Sequence, residues 1–407
     1  MIRWSTAGES HGRGLIAVIE GIPAGVELST SGLEAELRRR RGGYGRGTRQ
    51  SFEQDRCAFI SGVRHGKTLG SPIAIEIHNS EWLRWDSVMN PDVVDPDELR
   101  RSDGHGDDRE LARNRRLTRP RPGHADLPGV LKYGFYDVRN VLERASARET
   151  AARVALGYVA KELLRHVAGI VIAGHVVQVG DQRAPAQILD IGDIENIENS
   201  PVRCANARTE QLFIDVIDTA RRLGDTVGGV VEVVAWNVPV GLGTYTVWHE
   251  RLDAQLSAAL MSIPAVKGVE IGDGFASAGR FGSVAHDEIF ADPSGFSRST
   301  NRAGGIEGGM SNGEPIVARM AVKPIPTVPH ALRTIDLASG QGAAAIHQRS
   351  DVSAVVPAAV IGEAMMALTL AGQVVQHIGA NTVGDLANNI AAYQQRIADQ
   401  LDGEFFQ

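Results

Sequence analysis

Two histidines have the sequence surroundings of groups that transfer protons. His11 lies in Gly-Glu-Ser-His-Gly at residues 8–12, and His124 follows Arg-Pro-Arg-Pro-Gly at residues 119–123. Histidine titrates near neutral pH, glycine lets a ligand approach the backbone closely, and arginine binds anions. Together the two segments predict proton transfer beside a bound anion.

Each histidine also has a structural explanation. His11 fits a turn with a hydrogen-bonded histidine, and the residues before His124 fit a linker. The pair Ser10–His11 suggests a hydrolase, but adjacent side chains on a strand point to opposite faces and no nucleophile elbow surrounds Ser10. Function is favoured for His124, because Gly-His-Ala-Asp continues into apolar sequence, while both interpretations of His11 stay open.

Arginines form a second group, at residues 38–41 and at Arg46 and Arg49. Guanidinium groups match the oxygens of phosphate and carboxylate. Cations at the end of a helix also interact favourably with its dipole, which accounts for some of the four consecutive arginines. It does not account for Arg46 and Arg49, which alternate with glycines, so an anion site is predicted here.

Four further segments have both a functional and a structural interpretation. Residues 144–150 begin a helix, where backbone N–H groups attract anions or Ser146 and Glu149 form a capping box. Residues 301–313 are glycine-rich but match neither a P-loop nor a dinucleotide fingerprint. Residues 323–327 form a rigid turn that holds a cofactor, or they only end an edge strand. Arg349 and Asp351 are a surface ion pair or a positioned carboxylate beside an anion clamp.

Composition excludes several classes of function. The 407 residues are 43% hydrophobic and 22% charged, as in soluble globular proteins. A net charge of −7 and 5% aromatic residues argue against a general nucleic-acid binder.

Cys57 and Cys204 lack the spacing of a metal or redox site, which predicts buried, reduced thiols. With no signal peptide and no apolar stretch of roughly 18 residues, we expect a soluble, cytoplasmic protein that binds neither membrane nor metal.

The hydrophobic pattern predicts the elements that carry these residues. No linker is evident, so we expect a single domain over residues 1–407, of the α+β class because adjacent hairpins alternate with helices. A capping box of Ser31 and Glu34 is predicted to begin the first helix. Residues 90–127 are predicted to be a long functional loop, and residues 177–211 a surface excursion. Strands are predicted at 14–20, 56–62, 72–78, 230–238 and 317–322, and helices at 31–41, from 146, and at 251–261, 357–377 and 383–400.

Five segments in the same order resemble the chorismate synthase family. They are Gly-Glu-Ser-His-Gly at 8–12, Arg-Pro-Gly-His-Ala-Asp at 121–126, Arg-Ala-Ser-Ala-Arg-Glu-Thr at 144–150, Gly-Gly-Met-Ser-Asn-Gly at 308–313 and Arg-Ser-Asp at 349–351. The resemblance implies a helical layer between two antiparallel sheets, usually assembled as a homotetramer. Departures are Ala145 and Ser350, where many members carry serine and histidine, Pro264 beside the implied flavin site, and a longer stretch at 102–108.

The resemblance also implies a reaction. It is the 1,4-anti elimination of phosphate from 5-enolpyruvylshikimate 3-phosphate to give chorismate, the last step of the shikimate pathway, carried out by a lyase that requires reduced FMN. His11 would protonate the departing phosphate, His124 would keep the reduced flavin suitably protonated, and Asp351 would act with flavin N5 on the C6 proton. Electrons for the flavin would come from NADPH or from an external flavin reductase.

The resemblance assigns binding residues too. Substrate contacts are implied for Ser10, Arg40, Arg46, Arg49, Arg148 and Arg349. Flavin contacts are implied for Arg144, Ala145, Ser146, Pro264, Ala265, Gly308, Lys323, Pro324, Ile325, Pro326, Thr327 and Arg349.

Three other classes of function are considered. A flavin- or nucleotide-dependent oxidoreductase would consume reductant in proportion to product. A non-catalytic anion- or RNA-binding protein would lose affinity steeply with salt and release no phosphate. A serine hydrolase is disfavoured by the geometry of Ser10 and His11.

Overall fold

The first sheet is antiparallel and contains the segment that precedes His11. The structure, a computed structural model, describes residues 1–47, 55–97, 99, 113–292, 295–346 and 351–401. The strand order is β1-β2-β6-β3, and a small hairpin of β4 and β5 connects β3 to β6. The strands are β1 (Arg3–Ala7), β2 (Gly14–Glu20), β3 (Cys57–Ser61), β4 (Val63–Arg64), β5 (Lys67–Thr68) and β6 (Ile73–His78).

The second sheet is also antiparallel, in the order β10-β15-β9-β7-β8. Its strands are β7 (Val171–Val179), β8 (Gln182–Arg183), β9 (Gly229–Trp236), β10 (Val266–Ile271) and β15 (Ile316–Val322). Besides the β4–β5 hairpin, the described residues form three more short hairpins outside both sheets: β11 (Ile289–Asp292) with β12 (Gly295–Arg298), β13 (Ile306–Glu307) with β14 (Met310–Ser311), and β16 (Arg333–Ile335) with β17 (Gly342–Ala344).

Helices make up the rest of the regular structure. They are α1 (Thr30–Arg41), α2 (Asp126–Tyr133), α3 (Arg139–Leu142), α4 (Thr150–Ala168), α5 (Ile194–Asn199), α6 (Ala207–Arg222), α7 (Leu252–Met261), α8 (Gly282–Ala285), α9 (Val355–His377) and α10 (Val383–Leu401). Short 3₁₀ turns lie at Trp82–Arg84, Ala147–Glu149, Ile191–Asp193, Trp248–Glu250 and Gly274–Gly279.

The α+β fold is confirmed, with α4 and α9 as the layer between the sheets. On β2, Leu15, Ala17 and Ile19 are buried while the alternate residues face outward, the pattern of a strand covered on one face. That buried face packs on α4, whereas β7 and β9 pack on α9. The two helices approach closely at Gly157, where an added Cβ would lie 2.2 Å from Cβ of Ala364.

Two predictions about helices are corrected. The N-cap of α1 is Ser29, whose side chain accepts a hydrogen bond from the backbone N–H of Gly32, rather than Ser31 with Glu34. Contrary to the expectation that no stretch could span a bilayer, α9 is long and apolar enough to do so by length and composition. Its 18-residue apolar window is 89% buried, because α9 packs against α4 and a sheet.

A buried ionic cluster joins the helical layer to the second sheet. The Glu363 carboxylate of α9 contacts Nη1 of Arg39 at 2.8 Å, Nζ of Lys161 at 2.5 Å and Nη2 of Arg203 at 3.0 Å. Burial raises the pKa of a carboxyl group, but the charges of these three cations outweigh it and lower the pKa of Glu363. The cluster therefore fixes α1, α4 and α9 against one another.

Residues 177–211 are more than a surface excursion. Leu189 and Ile197 are buried against Ala173, Val234 and Trp236 of the second sheet. This segment covers the face of the sheet that α9 leaves open.

Both cysteines are buried, and burial, with the charges of Glu34 and Asp55, raises the pKa of the Cys57 thiol to about 11.

Candidate active site

A cavity of about 990 Å³ lies where the first turns of α4 and α9 meet. Thr150 of α4 and Ala358 of α9 line it. Backbone N–H groups at the start of a helix, together with the helix dipole, favour bound anions. The cavity also receives the loop after β1, the end of α1 and the segment after β15. His11, His124 and Asp351, from three distant parts of the chain, all line it.

Glu143 holds the edge of the His11 imidazole ring, and Trp85 covers one face of it. Its Nδ1 lies 2.9 Å from Oε2 of Glu143, and its backbone N–H donates to the same oxygen at 2.9 Å. The ring of Trp85 stacks on the imidazole with 3.7 Å between ring centroids. Gly8 permits the turn that brings His11 here, because its φ is +102° and an added Cβ would lie 2.4 Å from the carbonyl oxygen of Gly14.

The Glu143 carboxyl is ionised at neutral pH. Burial alone would raise its pKa, but the hydrogen bond and charge of His11 and the charge of Arg139 lower it below the ordinary value. Since an ionised carboxylate can only accept hydrogen bonds, Nδ1 of His11 carries a hydrogen. Nε2 is therefore the ring nitrogen whose protonation can change.

His124 has a similar partner in Asp126. Its Nδ1 lies 2.5 Å from Oδ1 of Asp126, whose side chain is fully buried. Arg121 shares that carboxylate, through Nε at 2.8 Å and its backbone N–H at 3.0 Å, and donates from Nη1 to Oγ1 of Thr327. Burial would raise the pKa of Asp126, but hydrogen bonds from His124 and Arg121 and their charges lower it.

Asp351 is held at the start of the segment that leads into α9. Its carboxylate is ion-paired with Nη1 of Arg46 and accepts a hydrogen bond of 2.6 Å from the backbone N–H of Gly47. Arg46 and Gly47 line the same cavity. The carboxylate of Asp351 therefore lies on the cavity wall beside a cation that a bound anion would also attract.

The arginines form an electropositive wall around one buried carboxylate. Asp55 contacts Nη2 of Arg40 at 3.3 Å, Nε of Arg41 at 3.3 Å and Nη1 of Arg148 at 3.4 Å. Arg40, Arg41 and Arg148 thus surround this carboxylate, and Arg40 and Arg148 line the cavity. Nε of Arg40 is buried and has no hydrogen-bond partner among the described residues. Ser10 lines the same wall, whereas Arg49 and Arg349 lie outside the described residues.

Most of the residues implied for the flavin line the cavity. They are Ala145, Ser146, Pro264, Ala265, Lys323, Ile325, Pro326 and Thr327. Pro324 is not among the lining residues. Gly308 is an exposed residue in the β13–β14 hairpin, and Arg144 lies away from the cavity, donating to the backbone oxygen of Thr6 at 2.8 Å. The longer stretch at 102–108 and Ser350 lie outside the described residues.

The residues present fit a flavin beside an anionic substrate. A cavity of about 990 Å³ is at the top of the 300–1,000 Å³ range of small-molecule sites, so it has room for more than one ligand. Pro264, Ile325 and Pro326 supply an apolar wall suited to an aromatic ring system. Nζ of Lys323 donates one hydrogen bond to the carbonyl oxygen of Gly123 and has two further N–H groups for an anionic group. Nε of Arg40, which has no hydrogen-bond partner among the described residues, is another donor. Burial and the charge of Lys267 lower the pKa of Lys323.

Sequence reasoning missed the partners of the two histidines. Glu143 and Trp85 contact His11, and Asp55 holds the arginines, but no local pattern marks them. Asp126 and Arg121 lie within the quoted motif around His124, yet neither was selected as a site residue. Arg221 and Asp225, at and beyond the end of α6, also line the cavity and had no sequence signal.

Comparisons with known proteins identify the family. The family model for chorismate synthase matches residues 2–375. The chain is 54% identical over 403 residues to chorismate synthase of Mycolicibacterium smegmatis, covering 98% of each chain. It is 55% identical over 402 residues to chorismate synthase of Mycobacterium avium, again covering 98% of each. A crystal structure of chorismate synthase matches with a TM-score of 0.75 and 37% identity, covering 97% of this chain and 98% of that one.

The fold and the cavity define an enzyme with a deep electropositive site between two antiparallel sheets. Its substrate is a small molecule, as the size of that site requires. The chain belongs to the chorismate synthase family.

Proposed function

We propose that this chain is a carbon–oxygen lyase that converts 5-enolpyruvylshikimate 3-phosphate to chorismate and phosphate, the last step of the shikimate pathway. In this reaction the C3–O bond and the C6–H bond break and a second ring double bond forms, so there is no net oxidation. The observation that carries the proposal is one cavity lined by His11, His124 and Asp351 beside a cluster in which three arginines surround Asp55.

The arginine wall supports binding of this substrate. A molecule with two carboxylates and a phosphate needs several fixed cations in a protein whose net charge is −7. Arg40 and Arg148 supply such cations around Asp55, and Arg46 supplies another on the same cavity. Because these guanidinium groups are already fixed before the substrate arrives, they stabilise the charge that develops on the departing phosphate without reorganising.

His11 has the position of a general acid. Glu143 holds Nδ1, so Nε2 is the nitrogen that can deliver a proton to the phosphate oxygen as the C3–O bond breaks. Asp351, held by Arg46 and by the N–H of Gly47, is the carboxylate on the cavity wall that acts in removal of the C6 hydrogen. General acid or base catalysis of this kind contributes about 10²- to 10⁴-fold.

Reduced FMN is the proposed cofactor. When bound, it supplies electron density to the allylic system from which the phosphate departs and takes part in removal of the C6 hydrogen. Ala145, Ser146, Ala265 and the segment 323–327, except Pro324, would hold it, with apolar residues on one wall and Lys323 available to an anionic group. His124, oriented by Asp126, would hold a proton at Nε2 on this side of the cavity.

The direct test is an anaerobic assay with dithionite-reduced FMN and the phosphorylated enol ether. We expect equal amounts of phosphate and chorismate, many turnovers per flavin, and flavin that is still reduced at the end. Oxidised FMN without reductant is the control and should give no product. Absence of phosphate release would overturn the proposal, and flavin oxidised in proportion to product would indicate an oxidoreductase instead. Replacing dithionite by NADPH shows whether the chain reduces its own flavin.

We also propose a homotetramer, which the family resemblance implies. Large exposed apolar side chains support contact with other subunits. They are concentrated in the segment 275–296 and include Phe275, Phe281, Phe290 and Phe296, and patches of this kind mark protein interfaces. Light scattering after size-exclusion chromatography should give four times the mass of 43.6 kDa; a monomer would refute this proposal.

A further inference from the structure

Glu143 is a buried carboxylate behind the cavity wall. Its side chain is 2% exposed, and it is absent from the cavity lining, although Leu142 and Ala145 on either side line the cavity. Its carboxylate contacts His11 twice, at the ring Nδ1 and at the backbone N–H. Its own carbonyl oxygen accepts from the backbone N–H of Ser10 at 2.9 Å. Glu143 therefore holds both the loop and the imidazole of His11.

The remaining groups around this pair restrict the ring further. Trp85 stacks on one face of the imidazole, with an angle of 21° between the ring planes. Among the described residues, Arg139 is the arginine near the carboxylate, with 3.5 Å between its Nη1 and Oε1 of Glu143, beyond the usual range of hydrogen bonds. The negative charge of Glu143 consequently lies closest to His11, and it stabilises a positive imidazole more than a neutral one.

We propose that Glu143 is the positioning residue of His11: it fixes the hydrogen on Nδ1, leaves Nε2 as the nitrogen that donates to the departing group, and stabilises the charged ring. The proposal rests on the proposed function, because it assigns Glu143 a part in the same elimination. Glu143 touches neither substrate nor cofactor in this account and acts through the imidazole. In the Ser-His-Asp triads, the carboxylate has the same relation to its histidine.

A second buried pair offers a matched control. Nε2 of His175 lies 2.9 Å from Oε1 of Glu232, on adjacent strands of the second sheet. Both residues are buried, and neither lines the cavity. Each glutamate also has an arginine nearby: Nε of Arg319 lies 2.7 Å from Oε2 of Glu232, and Nη1 of Arg139 lies 3.5 Å from Oε1 of Glu143. Glu232→Gln therefore removes a buried charge that contacts a histidine and an arginine, as Glu143→Gln does, but away from the site. Effects common to the two variants report stability, and effects confined to Glu143→Gln report the site.

The first measurement separates kcat from KM in the anaerobic assay. Glu143→Gln keeps the shape of the side chain and its ability to accept from Nδ1, but removes the charge. We expect kcat to fall at least tenfold while KM for the phosphorylated substrate stays within threefold, because the arginine wall is unchanged. Glu232→Gln should keep both values within twofold. An unchanged kcat in Glu143→Gln would overturn the proposal.

The second measurement is a double-mutant cycle with His11→Ala. If Glu143 acts through His11, Glu143→Gln should lower kcat less than twofold further once the imidazole is gone, since residues that act as a unit are not additive. Equal losses in the presence and absence of His11 would assign Glu143 a structural role only, and the proposal would be wrong. An inactive wild type would instead refute the proposed function, so the two failures are distinguishable.

A further variant covers the case in which Glu143→Gln does not fold. Glu143→Asp keeps the charge but is shorter by one methylene, so the carboxylate cannot reach Nδ1 at the same distance. We expect folded protein, unchanged KM and kcat lowered at least threefold. Wild-type kcat in Glu143→Asp would overturn the proposal.

Discussion

His11 and His124 line the same cavity and each contacts a buried carboxylate through Nδ1, but their surroundings differ. Glu143 has His11 as its nearest hydrogen-bond partner, at 2.9 Å, with Arg139 at 3.5 Å. Asp126 is also engaged by Arg121 through three N–H groups at 2.8–3.1 Å. The first carboxylate is thus available mainly to its histidine, while the charge of the second is already matched by a guanidinium.

This difference suggests different tasks for the two carboxylates. A carboxylate engaged by one histidine can stabilise the charge that appears there during proton transfer. A carboxylate shared with a buried arginine mainly holds the loop. Asp126, the first residue of α2, accepts from Arg121, which in turn donates to Thr327. We therefore expect loss of Asp126 to affect stability most, and loss of the His11 pair to affect turnover most.

The largest expected effect is the loss of stability in Asp126→Asn. Removing this charge leaves buried Arg121 without its carboxylate, and breaking a buried pair costs about 3–5 kcal/mol. We expect the free energy of unfolding, measured by urea denaturation, to fall by about 3 kcal/mol or more. Glu162→Gln, which breaks the more exposed Arg165–Glu162 pair, should cost less than about 1 kcal/mol. Equal costs would contradict the assigned role of Asp126.

The next effect is on catalysis at His11. His11→Ala should lower the rate of phosphate release about a hundredfold, the lower end expected for loss of a general acid, or roughly 2.7 kcal/mol of barrier. The measurement is kcat under anaerobic conditions with reduced FMN. His249→Ala, at an exposed histidine, should leave kcat unchanged. Normal turnover in His11→Ala would remove this residue from the mechanism.

A smaller effect is expected at His124. His124→Ala should lower turnover about tenfold, or roughly 1.4 kcal/mol of barrier, even at saturating reduced FMN, because the proton held beside the cofactor is lost while the flavin can still bind. The assay is a titration of kcat with reduced FMN. Recovery of full turnover at high flavin would show that His124 contributes to binding alone.

The smallest effect is a pH dependence of stability. The pKa of Asp126 is lowered in the folded state, so its ionisation stabilises the fold above the unfolded-state pKa of about 3.9 and this contribution is lost as pH falls toward the folded-state value. Urea midpoints of wild type and Asp126→Asn should therefore converge between pH 5 and the acid limit of stability. A constant difference between them over that range would contradict the assignment to this carboxyl.

Much of the fold follows from local patterns. The alternation on β2 identifies a strand covered on one face, because periodicity reflects which side faces the core. The sequence pattern also predicts the helix at 357–377, but not its full apolar length. The predicted cap at Ser31 is wrong, because the side chain of Ser29 accepts the hydrogen bond from the backbone N–H of Gly32. The layered arrangement came from the family resemblance, since pairing between distant strands leaves no local pattern.

Some residues of the candidate site are likewise marked by a local sequence pattern, and others are visible only in the tertiary fold. His11 and His124 stand out because glycines and arginines surround them in the sequence. Glu143 does not, because it is 132 residues from His11 and only the tertiary fold brings them together. Asp55 is similar: a lone aspartate before β3 gives no sign of the three arginines around it. Local sequence marks groups that meet a ligand, whereas groups that hold them are visible only in three dimensions.

We propose that one cavity brings His11 and His124 to a single substrate–flavin complex. A crystal structure with oxidised FMN and 5-enolpyruvylshikimate 3-phosphate, a pair that should not react, tests it most directly. We expect both ligands in this cavity, with the His11 ring within hydrogen-bond distance of the phosphate and His124 beside the flavin. Ligands bound elsewhere, or ligands that contact neither histidine, would contradict the account.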